Sequence, residues 1–333
     1  MKRAPVPSSI VWEITARCNL RCAYCYTFWT AKGVEEPSTL GPCQTRQVIA
    51  NIASGARGLK SLTFSGGEPL LRDDLADVVR EAKKALPRAQ ISVATNGEFL
   101  TLERATRLKD SGVSVIQVTV LSGDPNVHDE MTGRPGTLER VLEAVANAKR
   151  AGLLVAAFFV ATRRNISDFP GAAKLALAVG ADTVIFNRFQ PGGRALDSWK
   201  ELTPGIGQLE AALAQIAELR KIAQVSFGTI LPPCETLHRP VKGKDVFSCP
   251  IGTKRAYPAV GADGALRPCN HSPVIAGSLL ERPLGELLQE SCMSAGAAGP
   301  LPPECVGCRW SKRCRGGCPA ARSLAGERIY ALS

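Results

Sequence analysis

No stretch of this chain approaches the roughly 18 consecutive apolar residues that a membrane-spanning helix needs. The longest apolar run, Leu153 to Ala161, has the length of one buried strand. A secretory signal is missing too: Met1-Lys2-Arg3 is followed by prolines and serines where an apolar segment would have to begin. Internal repeats and low-complexity segments are absent, which argues against a repeat protein. There is no long Lys/Arg block, although the formal net charge is +11. Scattered basic residues keep a chain soluble, so nucleic acid is not expected as a partner, while an acidic peptide would suit the charge. Cysteine is missing from a long span, with none between Cys43 and Cys234. These absences leave a cytoplasmic globular protein with no membrane partner. At 333 residues it has room for a large domain and a small one.

The cysteines that are present fall in two places. Of twelve, three lie within Cys18–Cys25 and eight follow residue 230. In a reducing compartment such a count points to metal ligation or catalysis, not to disulfides.

From residue 9 to about 230, short apolar runs alternate with amphipathic stretches. Strands are expected at Ile10–Thr15, Ser61–Phe64, Ile91–Thr95, Val113–Leu121, Leu153–Val160 and Thr183–Phe186. Helices are expected near Thr45–Ala56, Asp74–Leu86, Leu102–Asp110, Leu138–Arg150 and Phe169–Val179, with Asp73 and Thr137 as start signals. Six alternating strands imply an α/β fold with a parallel sheet, open or curled towards a barrel. After residue 230 Pro, Gly and Cys dominate. Helical periodicity persists there mainly in Pro283–Glu290, and Arg255–Cys269 reads as a hairpin turning at Gly261-Ala262-Asp263-Gly264. So little apolar sequence suggests that metal substitutes for a core. The boundary is drawn at 1–230 and 231–333.

The loop after strand one reads Cys18-Asn19-Leu20-Arg21-Cys22-Ala23-Tyr24-Cys25. Three thiolates at this spacing can hold three irons of a [4Fe–4S] cube and leave the fourth iron open. An incomplete zinc site or coincidental thiols are the alternatives. Strand two runs into Ser65-Gly66-Gly67-Glu68-Pro69 and strand three into Thr95-Asn96-Gly97, so three distinctive loops follow the C-terminal ends of consecutive strands. Farther on, Cys305-x2-Cys308-x5-Cys314-x3-Cys318 is compatible with zinc or with iron–sulfur.

Taken together, these motifs resemble the radical S-adenosylmethionine (radical SAM) superfamily, and the late cysteines resemble its SPASM extension. The resemblance implies a partial (β/α)6 TIM-like barrel with a small Cys-rich C-terminal domain. It implies that Cys18, Cys22 and Cys25 hold a [4Fe–4S] cluster bound to S-adenosylmethionine, and that Tyr24 packs beside the adenine. Gly66, Gly67, Glu68 and Pro69 would meet the methionyl amino group, and Thr95 and Asn96 the ribose region. Ser122, which stands where relatives commonly have Asp in Leu-Asp-Gly, is counted with these as a cofactor-binding candidate. Gly133, Gly136-Thr137 and Gln190-Pro191-Gly192-Gly193-Arg194 also read like these relatives. One auxiliary iron–sulfur cluster would use Cys249, Cys269 and Cys318, with Cys234 the candidate fourth ligand. A second would use Cys305, Cys308 and Cys314, for which the family's last cysteine is not found. Arg309, Lys312, Arg313 and Arg315 would offset the charge of such clusters. Cys43 and Cys292 fit no pattern and are expected to be packing residues, His271 a polar turn residue, and His128 a loop anchor.

The implied reaction is reductive cleavage of S-adenosylmethionine to a 5′-deoxyadenosyl radical that abstracts hydrogen. No general base or nucleophile is legible. The expected function is maturation of a ribosomally made peptide by crosslinking, epimerisation, decarboxylation or backbone excision. A protein residue or a small molecule is the alternative target, and a non-catalytic iron–sulfur or nucleic-acid-binding protein the alternative class. A flavodoxin or ferredoxin would supply electrons. Strand one begins by Ser9, which suggests a separate leader-peptide-binding protein.

Overall fold

The computed structural model describes residues 5–236, 248–294 and 300–325. Seven parallel strands follow one another in chain order: Ser9–Glu13 (β1), Ser61–Ser65 (β2), Gln90–Thr95 (β3), Val113–Thr119 (β4), Leu154–Ala161 (β5), Thr183–Arg188 (β6) and Val225–Phe227 (β7). Ala259–Val260 (β8) runs parallel on the free side of β1. Ala265–Arg267 (β9) and Gly277–Ser278 (β10) then add antiparallel strands. The sheet order is β10-β9-β8-β1-β2-β3-β4-β5-β6-β7, so β10 and β7 are its edges.

Parallel neighbours need crossovers, and helices fill them: Pro42–Gly55 (α1), Leu75–Ala85 (α2), Leu102–Ser111 (α3), Pro125–Thr132 (α4), Thr137–Arg150 (α5), Phe169–Ala178 (α6), the short Trp199–Leu202 (α7) and Ile206–Leu219 (α8). The side-chain period of two sorts each strand into two faces. Ile10 and Trp12, Leu62 and Phe64, Ile91 and Val93, and Val184 and Phe186 join the helices in one continuous apolar core. Val11, Thr63, Gln117, Phe158 and Asn187 from the alternate positions line a cavity of about 770 Å³. Residues from β1 and β6 meet around that cavity, so the sheet is curved into a partial barrel.

All six expected strands are present, and β7 and β10 are additional; two or three residues carry no periodicity. Two start signals are corrected. Asp74, not Asp73, precedes α2, and its carboxylate is held at 2.6 Å by the Arg72 guanidinium instead of capping. Thr137 lies inside α5, whose N-terminal amides are capped from another helix: the Asp129 carboxylate accepts from the backbone N–H of Gly136 and of Leu138 (3.0 Å) and from the Thr137 hydroxyl (2.8 Å).

The hairpin forms as expected, with Gly264 at φ +84° and the Asp263 carboxylate accepting from the Ala265 N–H at 3.0 Å. The hairpin and the segment up to residue 293 also contribute side chains to the main core. Leu266, Leu279 and Leu287 are buried in the same apolar core as Val48 and Ile52. Leu284–Leu287 (α9) packs on α1, where a side chain on Gly55 would collide with the backbone of Gly285. Ser311–Cys314 (α10) and Pro319–Ala325 (α11) follow. No helix among the described residues is long and apolar enough to cross a membrane.

Candidate active site: a clamped cysteine loop facing the barrel cavity

The loop that follows β1 carries Cys18, Cys22 and Cys25, and all three line the barrel cavity. It is held at both ends and in the middle. At its start, the Gly67 N–H donates to the Thr15 carbonyl and the Glu68 N–H to the Arg17 carbonyl, each at 2.8 Å. Backbone lies so close here that a Cβ on Gly66 would collide with the Thr15 carbonyl and one on Gly67 with the Arg17 carbonyl. At its end, a Cβ on Gly192 would come within 2.7 Å of the Tyr26 carbonyl, and one on Gly193 would collide with that of Thr27. Midway, the N–H groups of Arg21 and Ala23 donate to the carbonyls of Thr132 and Met131 at the end of α4. Two Gly-Gly turns therefore grip one cysteine loop, and only glycine permits that approach.

Glu68 and Pro69 are placed differently from the expectation that they meet a ligand. Both are buried, and neither lines the cavity. The Glu68 carboxylate accepts from the Leu70 N–H (2.9 Å), the Thr95 hydroxyl (2.7 Å) and the Asn96 N–H (2.8 Å), which ties the second loop to the third. Burial nevertheless pushes its pKa up to about 7. Thr95 and Asn96 do line the cavity. The Asn96 amide donates to Asn19 at 2.8 Å, and Asn19 donates to Glu98, which also meets Arg134 (3.1 Å) and Arg140 (3.0 Å). Ser122 is buried and away from the cavity; its hydroxyl donates to Asp168 and accepts from the Asp124 N–H at 2.9 Å. It braces the loop after β4. His128 is buried beside Thr137 (3.2 Å), and burial lowers its pKa, so it serves as a neutral anchor.

Burial, joined by the charge of Glu68 and Cys25, pushes Cys18 up to about 11, and burial with the charge of Cys25 and Cys18 pushes Cys22 up to about 12. Both remain protonated at neutral pH until a cation takes the proton's place. The Tyr24 hydroxyl is hydrogen-bonded to Cys22, and Arg194 is the cation that acts on Cys18. No cysteine forms a disulfide. Among the described residues, no three His, Cys, Asp or Glu side chains converge on a point that one metal ion would fill. A cube offers separate iron corners, so thiols spread over a loop fit it.

The later cysteines gather as two groups. Cys249, Cys269 and Cys318 line a smaller cavity with Tyr257 and His271. Burial first, then their mutual charge, raises Cys249 to about 11 and Cys269 to about 12. Each sulfur accepts backbone N–H groups from two or three residues on: Ile251 for Cys249, His271 and Ser272 for Cys269, Ala320 and Ala321 for Cys318. Amides aimed at sulfur favour the thiolate, the form that binds metal. Cys234 packs against Cys318 and Ala321. In the second group, Cys305 and Cys308 act on Cys314, whose sulfur accepts from Gly316 and Gly317. The cations near the first group are Arg315 and Arg322 beside Cys249, with Arg188 and Arg322 beside Cys318. Only Arg315 among these belongs to the expected set. Cys292 packs against the main core, but Cys43 is exposed on α1 and is not a packing residue.

Sequence reasoning missed the clamp role of Gly192 and Gly193, although their motif was visible. It also missed Asp168, whose partnership with Ser122 spans 46 residues.

The model of the Radical SAM superfamily matches residues 12–176. A curated relative, AdoMet-dependent heme synthase of Methanosarcina barkeri, is 27% identical over 96% of this chain and 94% of its own length. PqqA peptide cyclase of Rhodopseudomonas palustris is 28% identical over 97% of this chain and 85% of its own. Among solved structures, Streptococcus suis SuiB bound to S-adenosylmethionine superposes with a TM-score of 0.74 at 14% identity, covering 98% of this chain and 76% of that one. The same protein has been solved with its precursor peptide SuiA.

Proposed function

Because the chain belongs to the radical SAM superfamily, whose members hold a [4Fe–4S] cluster with S-adenosylmethionine, we propose that it modifies a ribosomally made peptide by radical chemistry. The observation that carries this reading is the cysteine loop gripped by two Gly-Gly turns and lining a large cavity. Cys18, Cys22 and Cys25 would hold the cluster, with Tyr24, Gly66, Gly67, Thr95 and Asn96 beside the bound S-adenosylmethionine. When bound, that pair supplies a 5′-deoxyadenosyl radical able to abstract hydrogen. The protein's part is positional: Glu68 locks two loops together, Asn19 and Glu98 fasten the cysteine loop to them, and the barrel wall shields the cavity. Cys249, Cys269 and Cys318, with Cys234, would hold one auxiliary iron–sulfur cluster, and Cys305, Cys308 and Cys314 another. Residues 231–333 would then form a SPASM-type extension that shares part of the barrel's core. Reduction by a flavodoxin or ferredoxin in a reducing, cytoplasmic compartment completes the reading.

The peptide cyclase relative and the SuiB fold favour a peptide. The alignment with the heme synthase over nearly its whole length favours a second reading, a small-molecule substrate on the way to heme. Anaerobic incubation of the reconstituted protein with S-adenosylmethionine and dithionite tests the shared chemistry, and 5′-deoxyadenosine is the expected product. No cleavage would leave a non-catalytic iron–sulfur protein. Mass spectrometry of short peptides encoded beside the gene, set against porphyrin substrates, separates the two readings.

A further inference from the structure

The open side of the barrel carries buried polar atoms that the protein leaves unmet. The Asn187 Oδ1, on β6, has no hydrogen-bond partner, and neither has the Asn270 Oδ1 or the His271 Nδ1 in the turn after β9. All three residues line the main cavity. They come from opposite ends of the strand order, one next to β7 and two next to β9. Native folds satisfy nearly all buried polar groups, so three such atoms around one cavity indicate that a ligand completes them.

Their neighbours hold them in place. A Cβ on Gly228 would collide with the Asn187 amide oxygen, so the missing side chain makes room for that amide. The Asn270 amide donates to the Tyr26 hydroxyl at 2.7 Å, and the His271 ring stacks on Tyr26 with centroids 4.2 Å apart. Because the Tyr26 oxygen accepts that bond, its hydroxyl hydrogen is available to a ligand oxygen. The subsite therefore offers acceptor oxygens from two strands' ends and a hydroxyl donor beside Asn270.

We propose that Asn187, Asn270 and His271 are positioning residues for the amide backbone of the substrate. This rests on the peptide reading above and sharpens it. A peptide unit brings one N–H and one C=O, the complement of these groups. A carboxylate brings acceptors alone and would set negative oxygen against amide oxygen.

Equilibrium dialysis of the iron-loaded protein with S-adenosylmethionine tests this without turnover. The probes are tetraglycine acetylated and amidated at its ends, and glutarate as a carboxylate of similar reach. The wild type should bind the blocked peptide in preference to glutarate. Asn187→Leu and His271→Phe should each weaken the peptide about fivefold, the factor of one ordinary hydrogen bond. Gly228→Ala should act in the same direction, and S-adenosylmethionine affinity should not move. His271→Phe keeps the ring on Tyr26; should it nonetheless lose iron, Asn187→Leu decides. Unchanged peptide affinity in that variant overturns the proposal. So does binding of glutarate in preference to peptide, or of neither probe. Failure of S-adenosylmethionine cleavage, by contrast, would overturn the radical reading and is measured separately.

Discussion

Gly67 lies directly against the carbonyl of Arg17, the residue before the first cysteine, so that a side chain on Gly67 would strike the cysteine loop itself. The sequence alone suggests that a ligand needs this glycine; the fold shows that the loop does. Gly67→Val is therefore expected to lower both iron content and S-adenosylmethionine binding. Iron analysis with electron paramagnetic resonance checks this, and a variant that kept its first-site signal while losing only S-adenosylmethionine would restore the simpler account.

Replacing Cys18, Cys22 and Cys25 together by Ala should abolish 5′-deoxyadenosine formation and leave substantial iron bound, because the later cysteines gather elsewhere. A folded variant without iron would mean that those cysteines hold none.

Ser122 and Asp168 form a pair that leaves no room for a second carboxylate in the loop after β4. Asp168 already brings a carboxylate to the Ser122 hydroxyl and, at 2.7 Å, to the Gly123 N–H. Ser122→Asp would bury a second negative charge beside it and should destabilise the fold by ~3 kcal/mol or more. Adding Asp168→Ser should recover most of that loss in urea unfolding. Equal stability of wild type and Ser122→Asp would contradict the arrangement.

Glu68 gives stability a pH dependence of known sign. Burial raises its pKa from 4.5 to about 7. The folded protein thus holds this proton more tightly than the unfolded chain, and the contribution is full below 4.5 and lost as pH rises through about 7. Glu68→Gln removes that dependence. It also turns an amide N–H₂ towards a backbone donor, Asn96 or Leu70, which costs ~1–3 kcal/mol. Denaturant curves should show the wild type's advantage over the variant shrinking between pH 4.5 and 7. A difference flat with pH would refute the assignment.

Three single cysteines separate ligands from bystanders. Cys43→Ser, on an exposed helix face, and Cys292→Ser, against the apolar core, should leave iron content unchanged. Cys234→Ser, beside Cys318, should lower it or alter the Mössbauer spectrum. Iron loss on removing Cys292 would make it the missing ligand of the Cys305, Cys308 and Cys314 group.

The sequence by itself determined strands β1 to β6, the hairpin, about half of the helices, the cysteine loop and its family, because each is written in neighbouring residues. Alternating apolar positions mark β1 to β6, and a thiol triad is visible within eight residues. The spacing of Leu209, Ala212, Ile216 and Leu219 carries the same signal for α8. Tertiary structure alone decided the rest. It turned Glu68 from a candidate ligand contact into a lock between loops, gave Ser122 to Asp168, and paired the glycines at 66–67 and 192–193 as the two jaws of one clamp. It also carried the Cys-rich segment onto β1 and α1, where it shares the barrel's core. These relationships join residues far apart in the chain, and no local propensity encodes a contact whose partner arrives only when the sheet has curled.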